Sequence, residues 1–273
     1  MKEGIKLLLK RRVIGSLVLL VLALALIPAV ASAVPLATQG VAGVVRDSVT
    51  GVGVPFATVH IDYFGDGHIV YLTTGYDGTY SYSLAPGKYF MEAWSMGHST
   101  QSIADSITVD PGAVTTQDFT LVRYAQPVYR FFNMVSGVHF YTASDSECAA
   151  VCKNLGKYFK LDGIAWTIPL NSSTNNKPLY RFFNVKMGVH FYTKDEAEKA
   201  YVLAHYPARY HYEGVAYMVS EDPTGIPVYR FYNPARNAHF YTVDMTEVTR
   251  FAKLSTAYHY EGIAYYIGGS FAD

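Results

Sequence analysis

Three regimes of hydrophobic patterning divide the chain. Val13 to Ile27 is apolar apart from Gly15 and Ser16, with no polar face, and Pro28 ends the run. From Gly40 to residue 122, short β-rich runs alternate with turn signals at Asp47-Ser48, Gly51-Val52-Gly53, Gly65-Asp66-Gly67, Asp77-Gly78 and Pro86-Gly87. Thr79 to Leu84 switches strictly between polar and apolar positions, the period of a strand with one solvated face. Asp77-Gly78 before it is a hairpin signal, because glycine takes positive φ without steric cost. Strands spaced this way, with no helical period, predict an antiparallel β-sandwich over 40–122.

The third regime repeats itself. Tyr129-Arg130-Phe131-Phe132-Asn133 recurs as Tyr180-Arg181-Phe182-Phe183-Asn184 and Tyr229-Arg230-Phe231-Tyr232-Asn233, 51 and then 49 residues apart. Each copy is followed by His-Phe-Tyr-Thr (from His139, His190 and His239) and then by a glycine-centred motif around Gly163, Gly214 and Gly262. The first two motifs predict a hairpin. Ser144-x-x-Glu147, Asp195-x-x-Glu198 and Asp244-x-x-Glu247 then predict a capping box, with the Glu reaching back to the helix start. Cys148, Val151, Cys152 and Leu155 fall on one helical face, as do Val202, Leu203 and Tyr206, and Val248, Phe251 and Ala252. The glycine motif closes each unit as one or two strands. A unit this small cannot bury its own apolar face, whereas three around an axis share a core. The expected fold class is therefore mainly β: a sandwich followed by a threefold pseudo-symmetric domain, like a β-trefoil with one short helix per repeat, or a short propeller or prism. The repeats span 127–177, 178–226 and 227–267, and 34–39 and 123–126 read as linkers.

Two families resemble these segments. Gly43-Val44-Val45-Arg46-Asp47, Val54 to Val59, Thr74-x-x-Asp77-Gly78-Thr79-Tyr80 and Leu84-x-Pro86-Gly87-x-Tyr89 resemble the carboxypeptidase regulatory-like, or prealbumin-like, domain. That resemblance implies a seven-stranded extracellular spacer or binding accessory with no catalysis of its own. Residues 127–267 resemble a secreted repeat family of unknown function with the pattern Tyr-Arg-Phe-Tyr-Asn, a loop, then His-Phe-Tyr-Thr. The family recurs beside cell-wall and polysaccharide hydrolases, which implies an accessory binding role and supplies no catalytic residue.

Composition narrows the setting. The 273 residues carry 22 basic and 22 acidic side chains, with 16% charged and 15% aromatic residues. This excludes a disordered polyelectrolyte and removes the basic footprint expected of a nucleic-acid binder. Lys2, Lys6, Lys10, Arg11 and Arg12 precede the apolar run, and Ala31-Ser32-Ala33 follows it, so residues 1–33 read as a signal peptide. Fifteen residues reach about 22 Å, short of the ~30 Å hydrocarbon core; a membrane contact is expected only if this segment is uncleaved. Its removal leaves 17 basic against 21 acidic residues, a net charge of −4. The expected location is secreted or at the cell surface.

Candidate chemistry follows from the repeated positions. Arg130 lies on the opposite strand face from Tyr129 and Phe131 and needs a partner, so Arg130–Asp162, Arg181–Glu213 and Arg230–Glu261 are candidate structural ion pairs. His211 with Glu213, and His259 with Glu261, lie at i,i+2 and would suit zinc together with His190 or His239. Lys160 stands where His211 would be in the first copy, which breaks the pattern, so neither metal nor cofactor is expected. Cys148 and Cys152 sit one helical turn apart, as packed hydrophobes or a strained bridge. Trp94 and His98 read as core, and Asn171-Ser172-Ser173 is a glycosylation sequon. No nucleophile elbow, His-Glu-x-x-His or phosphate loop is present, and no unmatched acidic pair suggests glycoside hydrolysis. Catalytic residues are accordingly not expected.

Eighteen of the 24 tyrosines lie from Tyr124 onward. Most are expected to build the core. Tyr158, Tyr210 and Tyr258 border loops beside polar neighbours and, with His139, His190 and His239, form the candidate ligand-binding set. The expected function is non-catalytic recognition of cell-wall or other extracellular glycan; a protein-interaction module and a cryptic glycan hydrolase are the alternatives.

Overall fold

The computed structural model describes residues 38–64, 67–103, 105–170 and 177–268. The signal segment 1–33 and the sequon at 171–173 lie outside the described residues. Nine short strands build the first unit: β1 (Gly40–Asp47), β2 (Thr58–Tyr63), β3 (Ile69–Thr73), β4 (Thr79–Ser83), β5 (Gly87–Trp94), β6 (Gln101–Ser102), β7 (Ile107–Val109), β8 (Val114–Thr116) and β9 (Phe119–Leu121). They form two sheets, β4-β1-β8 with β9 also on β1, and β3-β2-β5-β6 with β7 on β5. Alternation decides the faces. Val41 and Val45 of β1 meet Val59 and Ile61 of β2 and Tyr89 and Met91 of β5 in one core. The resemblance implied seven strands; nine are described, four of them only two or three residues long. His98 is core, as expected, but Trp94 is half-buried on the outer face, edge-on to Tyr71 at 6.3 Å.

The second unit is the same β-β-α-β module three times. Its elements are β10 (Ala125–Asn133), β11 (Val138–Thr142), α1 (Asp145–Leu155) and β12 (Phe159–Pro169). Next come β13 (Lys177–Asn184), β14 (Val189–Thr193), α2 (Glu196–His205) and β15 (Tyr210–Val219), then β16 (Ile226–Asn233), β17 (Ala238–Thr242), α3 (Met245–Lys253) and β18 (His259–Ile267). In every repeat the Tyr-Arg-Phe strand is central, flanked by the His-Phe-Tyr-Thr strand and the glycine strand. Both of its edges are thus taken within its own repeat. No strand is left to close a trefoil's common barrel, and the described strands keep three separate sheets around the axis.

Two repeated residue types set the local geometry. Asn133 Oδ1 accepts from the amides of Val135 and Ser136, Asn184 Oδ1 from Lys186 and Met187, and Asn233 Oδ1 from Arg236, which folds each hairpin loop back. Gly163, Gly214 and Gly262 pair with Arg130, Arg181 and Arg230 at φ of 124°, 97° and 95°, between two register shifts. Space is open at all three, so the positive φ is what excludes other residues. These bulges aim the preceding carboxylates, Asp162, Glu213 and Glu261, at the arginines.

The axial core is threefold in composition. Val128, Leu179 and Val228 pack with Tyr141, Tyr192 and Tyr241, with Trp166, Tyr217 and Tyr265, and with Ile168, Val219 and Ile267. The three central tyrosines meet edge-on in pairs at 5.7–6.1 Å, the geometry ring quadrupoles favour. Their hydroxyls close a cycle: Tyr141 donates to the Tyr241 carbonyl, Tyr241 to that of Tyr192, and Tyr192 to that of Tyr141.

Helix burial departs from the sequence pattern. Cys148, Val151 and Leu155 of α1 are buried, but Leu203 and Tyr206 are exposed and α3 buries no residue. Both cysteines are free thiols. Residues 123–126 are not a slack linker: Ala125 is buried and opens β10, and the Arg123 side chain is 5% exposed between the two units.

Candidate functional site

The chemistry of the second unit gathers where neighbouring repeats meet. Arg130 Nε lies 3.4 Å from Asp162, Arg181 Nε 2.8 Å from Glu213 and Arg230 Nε 2.8 Å from Glu261. His139, His190 and His239 each bring Nε2 to 3.3 Å from the same carboxylates. A second acid arrives from the preceding repeat. Glu247 meets Arg130 at 2.9 Å, Glu147 meets Arg181 at 2.8 Å and Glu198 meets Arg230 at 3.7 Å. The ring contacts run the same way round, Phe140 on His190 at 4.6 Å, Phe191 on His239 at 5.4 Å and Phe240 on His139 at 5.0 Å. Each seam is therefore an Arg–carboxylate–His group of one repeat closed by a Glu and a Phe of the one before.

This corrects the capping-box reading. Ser144, Asp195 and Asp244 do cap their helices, accepting from backbone amides one turn in. The helix-start amides instead donate to Thr142, Thr193 and Thr242. That leaves Glu147, Glu198 and Glu247 to reach the next repeat's arginine. Glu147 and Glu247 also accept from Thr142 and Thr242. Their fixed spacing in the sequence carried the signal, and the capping pattern absorbed it.

The three seams differ in depth. Between repeats 1 and 2 the group is shut: Arg181, Glu213 and His190 side chains are 8%, 2% and 4% exposed. Burial alone would push the Glu213 carboxyl up, but His190 and Arg181 outweigh it and hold it below the usual carboxylate range. Between repeats 2 and 3, Arg230 and Glu261 border a cleft of about 180 Å³. The matching cleft between repeats 3 and 1, at Arg130 and Asp162, is about 160 Å³; the same seam carries a further cleft of about 550 Å³, lined by Arg130, Asp162 and Glu247 together with Phe240, Phe251 and Tyr258. Burial first, and the Arg130 charge second, bring His139 there down to about 4, so its imidazole is neutral near pH 7.

The six candidate ligand residues separate. His139 and Tyr258 line the 550 Å³ cleft, and His239 lines a much smaller pocket that shares His139 and Tyr258 with it. His190 is buried and unreachable. Tyr158, Tyr210 and Tyr258 are half-buried rather than free-standing. Tyr158 is also out of step, because Phe159 pairs with Asn133 where Tyr210 pairs with Asn184. The exposed tyrosines of this unit are Tyr124, Tyr201, Tyr206 and Tyr260. Among the described residues, no three His, Cys, Asp or Glu side chains converge as metal ligands would.

Comparison with known proteins places both units. Residues 40–122 match the carboxypeptidase regulatory-like domain. Mouse carboxypeptidase D is 39% identical over 82 residues, 30% of this chain and 6% of that protein; the chain thus spans a small fraction of that relative's length. Among solved structures, the Bacillus anthracis TIE protein shares 14% identity at a TM-score of 0.28, over 37% of this chain and 24% of that one. Klebsiella pneumoniae 5-hydroxyisourate hydrolase shares 16% at a TM-score of 0.25, over 34% of this chain and 92% of that one. Residues 116–268, more than half of the chain, match the family described as Domain of unknown function (DUF5648), and the chain belongs to that family.

Proposed function

We propose that the protein is an exported, non-catalytic binding protein whose threefold unit recognises cell-wall or other extracellular glycan, presented by the carboxypeptidase regulatory-like unit. The observation that carries this reading is the cleft between repeats 3 and 1. It sets half-buried Tyr258 and Phe251, backed by buried Phe240, beside polar Arg130, Asp162 and His139, pairing apolar rings for a sugar with hydrogen-bonding groups for its hydroxyls. The non-enzymatic reading is supported by the seam carboxylates Asp162, Glu213 and Glu261, each paired with an arginine rather than with a second free acid as glycoside hydrolysis would ask. Export rests on residues 1–33. A mature N-terminus at Val34 in secreted material is the expected result, and retention of Met1 there would overturn it.

Pull-down on insoluble polysaccharides and peptidoglycan tests the glycan reading. Retention on at least one polymer is expected; none across a broad panel overturns it. A protein partner is the second reading, favoured by exposed Phe64, Ile69 and Tyr71 on the sandwich, where Tyr71 stacks on His60 at 4.9 Å. Cross-linking that recovers one defined partner, with every glycan blank, would select it.

A further inference from the structure

The threefold pattern makes departures from it informative. At the seventh position after each motif tyrosine stand Ser136, Met187 and Arg236, and at the twenty-first stand Ala150, Tyr201 and Arg250. Only the third repeat places arginine at both, and both line the 550 Å³ cleft between repeats 3 and 1. The cleft is therefore chemically single-copy although its framework is repeated.

Their setting distinguishes these arginines from those of the seams. Arg130, Arg181 and Arg230 face carboxylates on two sides. Arg236 and Arg250 are exposed and have no carboxylate within ion-pair distance among the described residues. Arg236 reaches over the seam, where its guanidinium donates to the Ser136 carbonyl and lies against Gly137, whose missing side chain leaves it that place. It is thus held at the cleft rim by contacts that leave its charge uncompensated. Arg250 sits in the last turn of α3 beside Phe251. Inside the cleft, three arginines oppose the two carboxylates Asp162 and Glu247. This one excess positive charge belongs to a chain whose residues after position 33 are net negative, so it is a local feature and not a spill-over of general surface charge.

We infer that the cleft between repeats 3 and 1 takes an anionic sugar unit, its ring against Tyr258 and Phe251 and its acidic group on Arg236 and Arg250. This rests on the glycan reading and deepens it to sugars bearing carboxylate or phosphate. A guanidinium matches either group with paired N–H donors. The volume, about 550 Å³, lies in the range of small-ligand clefts. The other seams lack the second requirement, since serine and alanine, or methionine and tyrosine, replace the two arginines.

The test uses the chain after residue 33 on three immobilised polymers: polygalacturonate, a poly(glycerol phosphate) and a neutral β-glucan. Retention on either anionic polymer is expected to exceed that on the neutral one and to weaken from about 50 to about 500 mM salt. The double variant Arg236→Ala/Arg250→Ala should lose about tenfold or more in affinity, while Met187→Ala at the equivalent position of another seam loses none. Polygalacturonate alone would assign a carboxylate, and the phosphate polymer alone a phosphate. Equal retention on the neutral polymer, unchanged in the double variant, overturns this inference and leaves the glycan reading standing. Failure on every polymer, including the broader panel, overturns both. The three substituted positions are exposed or half-buried, and an unchanged circular dichroism spectrum of the variants separates lost binding from lost fold.

Discussion

The Tyr141 hydroxyl donates to the Tyr241 carbonyl oxygen at 2.7 Å across 100 residues of sequence. It is one of three equivalent bonds that tie the last repeat back to the first. All three hydroxyls are buried, and burial raises the pKa of each phenol, so they act as neutral donors. Removing one, in Tyr192→Phe, deletes the bond it donates to the Tyr141 carbonyl and the one it accepts from the Tyr141 amide while keeping the edge-on rings. A loss of about 1–2 kcal/mol is expected in urea unfolding. The triple phenylalanine variant should lose more than any single change while remaining folded on its apolar contacts. A single variant as stable as the parent would show that the cycle is not a closing element.

Seam depth sets the next expectation. Arg181 is nearly sealed between Glu147 and Glu213, so Arg181→Ala leaves two carboxylates without their cation in a dry site. About 3–5 kcal/mol should be lost. Arg230, whose side chain is 22% exposed with its partners at 30% and 37%, should cost about 1 kcal/mol when truncated, because water takes over the solvation. Equal losses at the two positions would remove the argument that the repeats differ in how far they shut.

How much of this was legible beforehand varies with the range of the interaction. The threefold repeat, its hairpin and the Arg–acid neighbours follow from spacing, because those pairs lie within one sheet and β register is local; the limits of each repeat do not, since Lys177 and Ile226, read as ends of repeats 1 and 2, open β13 and β16. The cross-seam role of Glu147, Glu198 and Glu247 was hidden, since a capping box and an inter-repeat ion pair ask for the same residue at the same place. Tyr158 borders a loop as Tyr210 and Tyr258 do, but a loop border does not set register: the spacing from Asn133 equals that from Asn184 and puts Phe159, not Tyr158, at the position of Tyr210. The importance of Arg236 and Arg250 needed the fold, because only the closure of repeat 3 on repeat 1 brings them into one cleft.

Acid should loosen the 3–1 seam first. His139 is held at about 4 by burial and then by Arg130, against about 6.5 in an unfolded chain. As pH falls below 6.5 the unfolded state takes up this proton before the folded state does. The stabilisation present above that pH is therefore lost progressively towards pH 4. Glu261, held low by His239 and Arg230 against the upward push of burial, acts in the same direction only below about 4.5. Between pH 6.5 and 5 the loss should be on the order of 1 kcal/mol, read as a drop in urea midpoint. His139→Gln, which keeps a donor towards Asp162, should flatten that slope, and a slope equal to the parent's would assign it to another group.

Arg123 gives the two units a shared fate. Its Nε lies 2.5 Å from Asp47 of β1, another guanidinium nitrogen reaches Asp145 at the start of α1, and His98 meets Asp47 at 2.9 Å. Burial pushes the Asp47 carboxyl up, but hydrogen bonds from Thr50, Arg123 and His98 outweigh it and keep the acid ionised. Asp145 is tied further by the Tyr129 hydroxyl at 2.9 Å. Arg123→Ala would strand one buried carboxylate in each unit, so a loss of several kcal/mol is expected, divided between them. With that bond gone, calorimetry should resolve two transitions where the parent shows one, and solution scattering should report a wider spread of inter-unit distances. Arg46→Ala is the control, since the exposed Arg46 side chain donates weakly to the Gly51 carbonyl at 3.5 Å and its removal should change stability by no more than about 0.5 kcal/mol. A parent-like single transition in Arg123→Ala would mean that the junction is held by the backbone path through Ala125 and not by this arginine.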